Sequence, residues 1–200
     1  PAMSRRQRQM CIRDSFCGLG THFLANEQRT DLLASLTTQA WSGEADVDHA
    51  LVGAVLTGMV AGAEQPDGQL EPHIDTINEW MAGDDLAAIH ARVLGWQGDD
   101  VWLGRARDGL AHGSPLAATW IFRQLNQTRT ASLEEVFESE LILGCNIMRH
   151  PEFAEGVRAL LVDKDRSPAW TYADLASVPA AVVDTFFTAP SAMPALALPE

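Results

Sequence analysis

Charge of both signs is concentrated between residues 155 and 170 of this 200-residue chain. Glu155 and Arg158 stand three apart, the spacing of neighbours on a helix surface, where such a pair is worth a few tenths of a kcal/mol. Asp163, Lys164 and Asp165 follow, and Pro168 and Trp170 close the stretch. Lys164 falls one turn beyond Leu160, near a helix C-terminus, where the dipole favours a cation. Its chemical use there is to hold a phosphate of a nucleotide-like cofactor. Trp170 offers either core area or a stacking surface.

Glu140 is the second candidate, sharing a helix face with Leu133, Val136, Phe137 and Leu141. A carboxylate on an apolar face needs a partner, because burying it alone carries a heavy desolvation penalty. Two uses are open: a catalytic acid or base with a raised pKa, or a buried ion pair fixing helix register. The second is expected, with Arg158 as the partner. The other reactive residue types lack company. Ser114 has no Gly-x-Ser-x-Gly around it and precedes Pro115, so helix capping explains it. Cys145 has no local group to lower its pKa and reads as a core thiol. The six histidines (His22, His49, His73, His90, His112, His150) show neither HxxxH nor HExxH spacing, so no metal site is expected. There is no P-loop and no GxGxxG.

These residues must be positioned by helices. Asn26 can cap a helix bearing Leu32, Leu33 and Leu36, and Asp46 a second with Val47, Ala50, Leu51, Ala54 and Val55 on one face. Gly62, Pro66, Gly68 and Pro72 mark a loop over 61–72. Ile74 to Met81 reads as a short helix stopped at Gly83. Asp84 or Asp85 starts the next, which Gly95 ends, and another runs from about Asp100 to Ala111. Ser114-Pro115 is a strong helix start. Ser132 and Glu135 form a capping box. His150-Pro151 opens the helix carrying Glu155 and Arg158, and Pro179 to Phe187 makes the last. Gly18 to Leu24 suits a strand end or tight turn. Alternating strands are otherwise almost absent, and the chain reads as all-α with eight or nine helices.

Composition narrows the partners. The net charge is −13, which argues against nucleic acid and anionic membrane, since both need clustered positive charge. Arg5, Arg6, Arg8 and Arg13 gather ahead of the acidic remainder. Three cysteines form no CxxC pair, so a reducing, cytoplasmic setting is expected. No apolar run approaches the roughly 18–20 residues of a membrane span. Met10 to Ser15 resembles the translation of a sequencing-library adapter, so residues 1–15 are expected to be an assembly artefact and not part of the fold.

Ordered motifs give a specific resemblance. Gly18-Leu19-Gly20-Thr21-His22, Ser114-Pro115 with Thr119, Ser132 to Glu135 with Glu140, and Phe153 to Ala159 followed by Asp163-Lys164-Asp165, Pro168 and Trp170 occur in order. Together they resemble the 3-hydroxyisobutyryl-CoA hydrolase-like branch of the crotonase (enoyl-CoA hydratase/isomerase) superfamily. The elements between about 72 and 112 favour that branch over simple hydratases. The resemblance implies an all-α C-terminal helical region of a crotonase-like enzyme, with the N-terminal α/β spiral core missing from this chain. With the adapter-like stretch and the proline-rich end set apart, four segments are expected: 1–15 adapter, 16–71 the end of the core with linking helices, 72–188 a C-terminal helical domain, and 189–200 a disordered tail.

The implied chemistry is acyl-CoA thioester hydrolysis. Two backbone N–H groups receive the developing oxyanion and a carboxylate activates water or forms a transient anhydride. By resemblance those groups precede Gly18, so no catalytic residue is assigned and the chain alone is expected to be inactive. Lys164 is the expected contact to coenzyme A, which enters as part of the substrate; no covalently bound cofactor is implied. The remaining expected partners are the missing core and a second copy in a homo-oligomer. The alternatives are a hydratase or isomerase of the same superfamily, or a non-catalytic helical packing module.

Overall fold

A computed structural model describes residues 15–60 and 68–191. The adapter-like segment up to residue 14, most of the 61–72 loop and the tail from 192 lie outside the described residues. The chain divides into two compact units, Pro1–Glu79 and Trp80–Glu200. Among the described residues every regular element is helical, and no helix is long and apolar enough to cross a membrane.

In the first unit, Gly18 sits at φ +76° in a turn closed by its N–H on the Ser15 carbonyl at 3.2 Å. A 3-10 turn, Asn26–Gln28, leads into α1 (Arg29–Thr37), and α2 spans Ala45–Val60. Asn26 is not the cap: Ala25 is, with its N–H donating to Gln28 Oε1 at 2.8 Å. Nor does Asp46 cap α2. It lies inside the first turn, and Asp48 accepts from the Ser42 and Gly43 N–H groups just before the helix. Gln28 Nε2 donates to the Met59 carbonyl at 3.0 Å, linking the turn to the end of α2. The helix α3 (Ile74–Trp80) follows.

The second unit holds two clusters of buried side chains. In the first, Trp80, Val93 and Leu103 pack with Trp96, Trp102 and Leu110. Trp80 and Trp96 meet edge to face at 5.8 Å, a geometry set by the ring quadrupoles. They come from the end of α3 (Trp80), from α4 (Leu86–Leu94), capped by Asp85, and the turn after it (Trp96), and from α5 (Val101–His112), capped by Asp100. In the second cluster, Leu116, Leu143, Val183 and Phe186 pack with Trp120, Ile147, Tyr172 and Val182. Apart from Tyr172, they come from α6 (Pro115–Gln127), α7 (Leu133–Arg149) and the last helix, α9 (Ala180–Phe186). The capping box of Ser132 and Glu135 starts α7. The Asn146 side-chain amide reaches the Thr185, Phe186 and Thr188 carbonyls at 3.0–3.1 Å, satisfying orphan acceptors at the end of α9.

Between α7 and α9 lies α8 (Pro151–Val157), with His150 as its cap and proline in its first turn. It does not end as a regular helix. Residues Arg158–Val162 form a π turn, in which the Asp163 N–H donates to the Arg158 carbonyl at 2.8 Å. Such widened turns often accompany functional positions.

Candidate functional site

The π turn delivers Arg158 into a knot of carboxylates. Its guanidinium donates to both oxygens of Glu155 at 2.9 and 2.7 Å, to Asp163 at 2.7 Å, to Asp165 at 2.6 Å, and to the Ser167 carbonyl at 3.2 Å. Glu155 also accepts the Ala169 N–H at 2.7 Å, and Asp165 that of Ser167 at 2.8 Å. The loop 163–170 is thus fastened to α8 by charge-assisted bonds, which are shorter and stronger than neutral ones. The electrostatic consequence is direct. Arg158, and then the Ala169 N–H, hold the Glu155 carboxyl down at about 2. Arg158 also lowers Asp165. Those carboxylates, Glu155 foremost, push the guanidinium further above its ordinary value.

This arrangement corrects the expected Glu140–Arg158 pair. Arg158 is taken by three carboxylates from its own neighbourhood in sequence, within reach without any long-range packing. Glu140 is exposed, and so are its face-mates Leu133 and Phe137. The face of α7 that packs inward carries Leu143 and Ile147.

A second carboxylate does a deeper job. Glu152, in the first turn of α8, is 8% exposed. One oxygen accepts the Thr171 N–H at 2.8 Å, and the other accepts the hydroxyl proton of Ser114. Ser114 is itself buried and, as the N-cap of α6, accepts the Ala117 N–H at 3.0 Å. The capping role read from Ser114-Pro115 is therefore correct, with a further partner 38 residues away. Trp170 completes the clasp. Its indole Nε1–H donates to the His112 carbonyl at 2.9 Å, and its ring lies against Gly156, where a Cβ would meet Cη2 at 3.3 Å.

These contacts frame a cavity of about 760 Å³, within the range of ligand sites, roughly 300–1,000 Å³. Its walls are mostly apolar, with Trp120, Val157, Leu160 and Trp170 among them, and Ser114, Glu152, His150 and Arg166 supply polar atoms. Lys164 is exposed, in left-handed backbone at φ +58°, and is not part of the lining. Its neighbour Arg166, at φ +56°, is. Sequence reasoning passed over Glu152 and Arg166. Glu152 reads as a solvated acid at a helix start, and its pairing with Ser114 has no local signal. Arg166 differs from Lys164 only by where the loop turns. Cys17 and Cys145 are free thiols. Among the described residues no His, Cys, Asp and Glu group of three or more is placed to hold a metal ion.

Comparison with known proteins gives a consistent picture. The family model described as Enoyl-CoA hydratase/isomerase matches residues 10–187. The 3-hydroxyisobutyryl-CoA hydrolase, mitochondrial, of Gallus gallus is 27% identical over 170 residues, covering 85% of this chain and 43% of that protein. The protein of the same name from Bos taurus is 36% identical over 109 residues, 54% of this chain and 28% of that protein. The crystal structure of a carnitinyl-CoA dehydratase from Mycobacterium thermoresistibile superposes with a TM-score of 0.69 at 24% identity, covering 90% of this chain and 48% of that one. This chain thus spans less than half the length of these proteins.

Proposed function

Because the chain belongs to the enoyl-CoA hydratase/isomerase family, in its 3-hydroxyisobutyryl-CoA hydrolase-like branch, we propose that the protein carrying it hydrolyses a short hydroxyacyl-CoA thioester, 3-hydroxyisobutyryl-CoA being the first candidate. Water adds to the thioester carbonyl, the carbon–sulfur bond breaks, and the sulfur leaves with a proton as the free thiol of coenzyme A. The other product is the hydroxy acid, as in valine breakdown. The observation that carries this reading is the family match over residues 10–187. Within this chain we propose that Lys164, exposed beyond the π turn, meets a phosphate of coenzyme A. We further propose assembly as a homo-oligomer in a reducing compartment. Free cysteines fit that setting. The compartment proposed is the cytoplasm, whereas the hydrolases of Gallus gallus and Bos taurus are mitochondrial by name.

The test is thiol release. The longer protein is incubated with 3-hydroxyisobutyryl-CoA and the liberated thiol is measured, alongside hydration of an enoyl-CoA. Thiol release with the hydroxyacyl thioester supports the hydrolase reading. Hydration without thiol release transfers the protein to the hydratase class. Turnover by the 200-residue chain alone would place the chemistry on the residues described here. A Lys164→Met change should raise KM while leaving kcat nearly unaltered, the signature of lost uniform binding.

A further inference from the structure

Arg166 and His150 are both among the residues that line the apolar cavity. The Arg166 backbone is tied down, the N–H donating to the Ala159 carbonyl at 3.0 Å, yet its guanidinium has no hydrogen-bond or ion-pair partner among the described residues. The two acids just before it in the loop, Asp163 and Asp165, are bonded to Arg158 instead, at 2.7 and 2.6 Å. A non-glycine residue in left-handed backbone is a conformation that persists only where the surroundings impose it, and here it puts Arg166 on the cavity wall. His150 is the second group. Its Nδ1 accepts the Glu152 N–H at 3.3 Å, so the neutral ring carries its proton on Nε2 and can donate. The ring is steadied against Phe186 at 5.1 Å. The one carboxylate in the wall, Glu152, has both oxygens engaged by Thr171 and Ser114.

We propose that this cavity is a binding site for a small free carboxylate bearing an apolar chain, its carboxylate received by Arg166 and its chain lying along Leu160, Val157, Trp120 and Trp170. Charge complementarity selects the anion: an arginine fork matches a carboxylate in two parallel hydrogen bonds. The apolar walls select the chain. The inference does not depend on the thioester reaction. An acid product of that reaction and an unrelated effector acid share this chemistry.

The test is binding to the intact protein, read by quenching of tryptophan fluorescence, since Trp120 and Trp170 lie in the wall. The probes are octanoate, octanol and acetate. Octanoate should bind at least tenfold more tightly than either octanol, which lacks the charge, or acetate, which lacks the chain. Arg166→Met should weaken octanoate about tenfold and leave octanol unchanged. Lys164→Met should alter neither. Equal binding of octanoate and octanol by the unaltered protein would overturn the proposal, as would an Arg166→Met variant that binds octanoate normally. So would coenzyme A displacing octanoate, which would make the anion a phosphate. Competitive inhibition of thiol release by the hydroxy acid identifies the reaction product as the source. Non-competitive inhibition by octanoate identifies an effector, and either outcome keeps the site.

Discussion

Removing the Glu152 carboxylate should unfasten the second unit more than any other single polar change in it. Glu152→Ala deletes the acceptors of two donors, the Thr171 N–H at 2.8 Å and the Ser114 hydroxyl, in a place where Glu152 and Ser114 are each only 8% exposed. A hydrogen bond to a charged group contributes about 1.5–3 kcal/mol, and an orphaned buried donor forfeits its hydration as well. Two such losses amount to about 3–6 kcal/mol, a large share of the roughly 5–15 kcal/mol by which a domain is stable. Glu152→Gln is a finer probe. Its carbonyl oxygen can still accept from Thr171, and its amide can donate to the Ser114 oxygen, so only the hydroxyl proton of Ser114 is stranded. The expected loss is about 1–2 kcal/mol. The assay is urea unfolding followed by tryptophan fluorescence. With a slope of about 2 kcal/mol per molar, Glu152→Ala should lower the midpoint by about 1.5–3 M and Glu152→Gln by about 0.5–1 M. A Glu152→Ala midpoint within about 0.3 M of the parent would refute the reasoning. So would Gln and Ala variants that unfold together, because the loss would then lie in charge or shape and not in the two bonds.

Gly156→Ala places a methyl 3.3 Å from Trp170 Cη2. The indole must give way or lose its 2.9 Å bond to the His112 carbonyl, and an overpacking loss of about 1–3 kcal/mol should appear in thermal melts with a changed tryptophan emission. Acid should weaken the protein through the Arg158 knot. Glu155 is held at about 2 against an ordinary 4.5, so its contribution is complete above 4.5 and drains away as pH falls from there through 2. Glu155→Gln should flatten that acid limb in melts recorded from neutral pH downward; an unchanged limb would remove Glu155 from the account. Glu140→Ala should change stability by less than about 0.5 kcal/mol, as expected of an exposed site. A cycle with Arg158→Ala should show no coupling between the two, whereas a measured coupling would restore the pair set aside above.

What could be read in advance was whatever is written locally. Ser114-Pro115, Asp85, Asp100 and the Ser132–Glu135 box announce helix starts, because a cap is a contract between residues two or three apart. The Glu155–Arg158 pair was legible for the same reason. Helix α7 shows where this stops. Its first half leaves the apolar Leu133 and Phe137 exposed, while its second half packs Leu143 and Ile147 inward. Nothing along the chain says which half is covered, and Glu140, on the same face as both sets, is left exposed. The bond from Ser114 to Glu152 spans 38 residues. The cavity-facing Arg166 depends on a backbone sign change that arginine only rarely adopts. Both are products of tertiary packing with no signature in spacing.

The π turn at Arg158–Val162 sets the phase of everything after it. A regular helix advances each residue by about 100° around its axis, and the widened turn holds one residue more than a regular one. Deleting a single residue here would tighten the turn and rotate the outgoing chain by roughly that angle. Asp163 and Asp165 would swing off Arg158, Thr171 would leave Glu152, and Trp170 would no longer find the bare backbone of Gly156. The register of the whole clasp is therefore stored in one surplus residue, and the segment should tolerate substitution at exposed Leu160 or Leu161 far better than any change in its length.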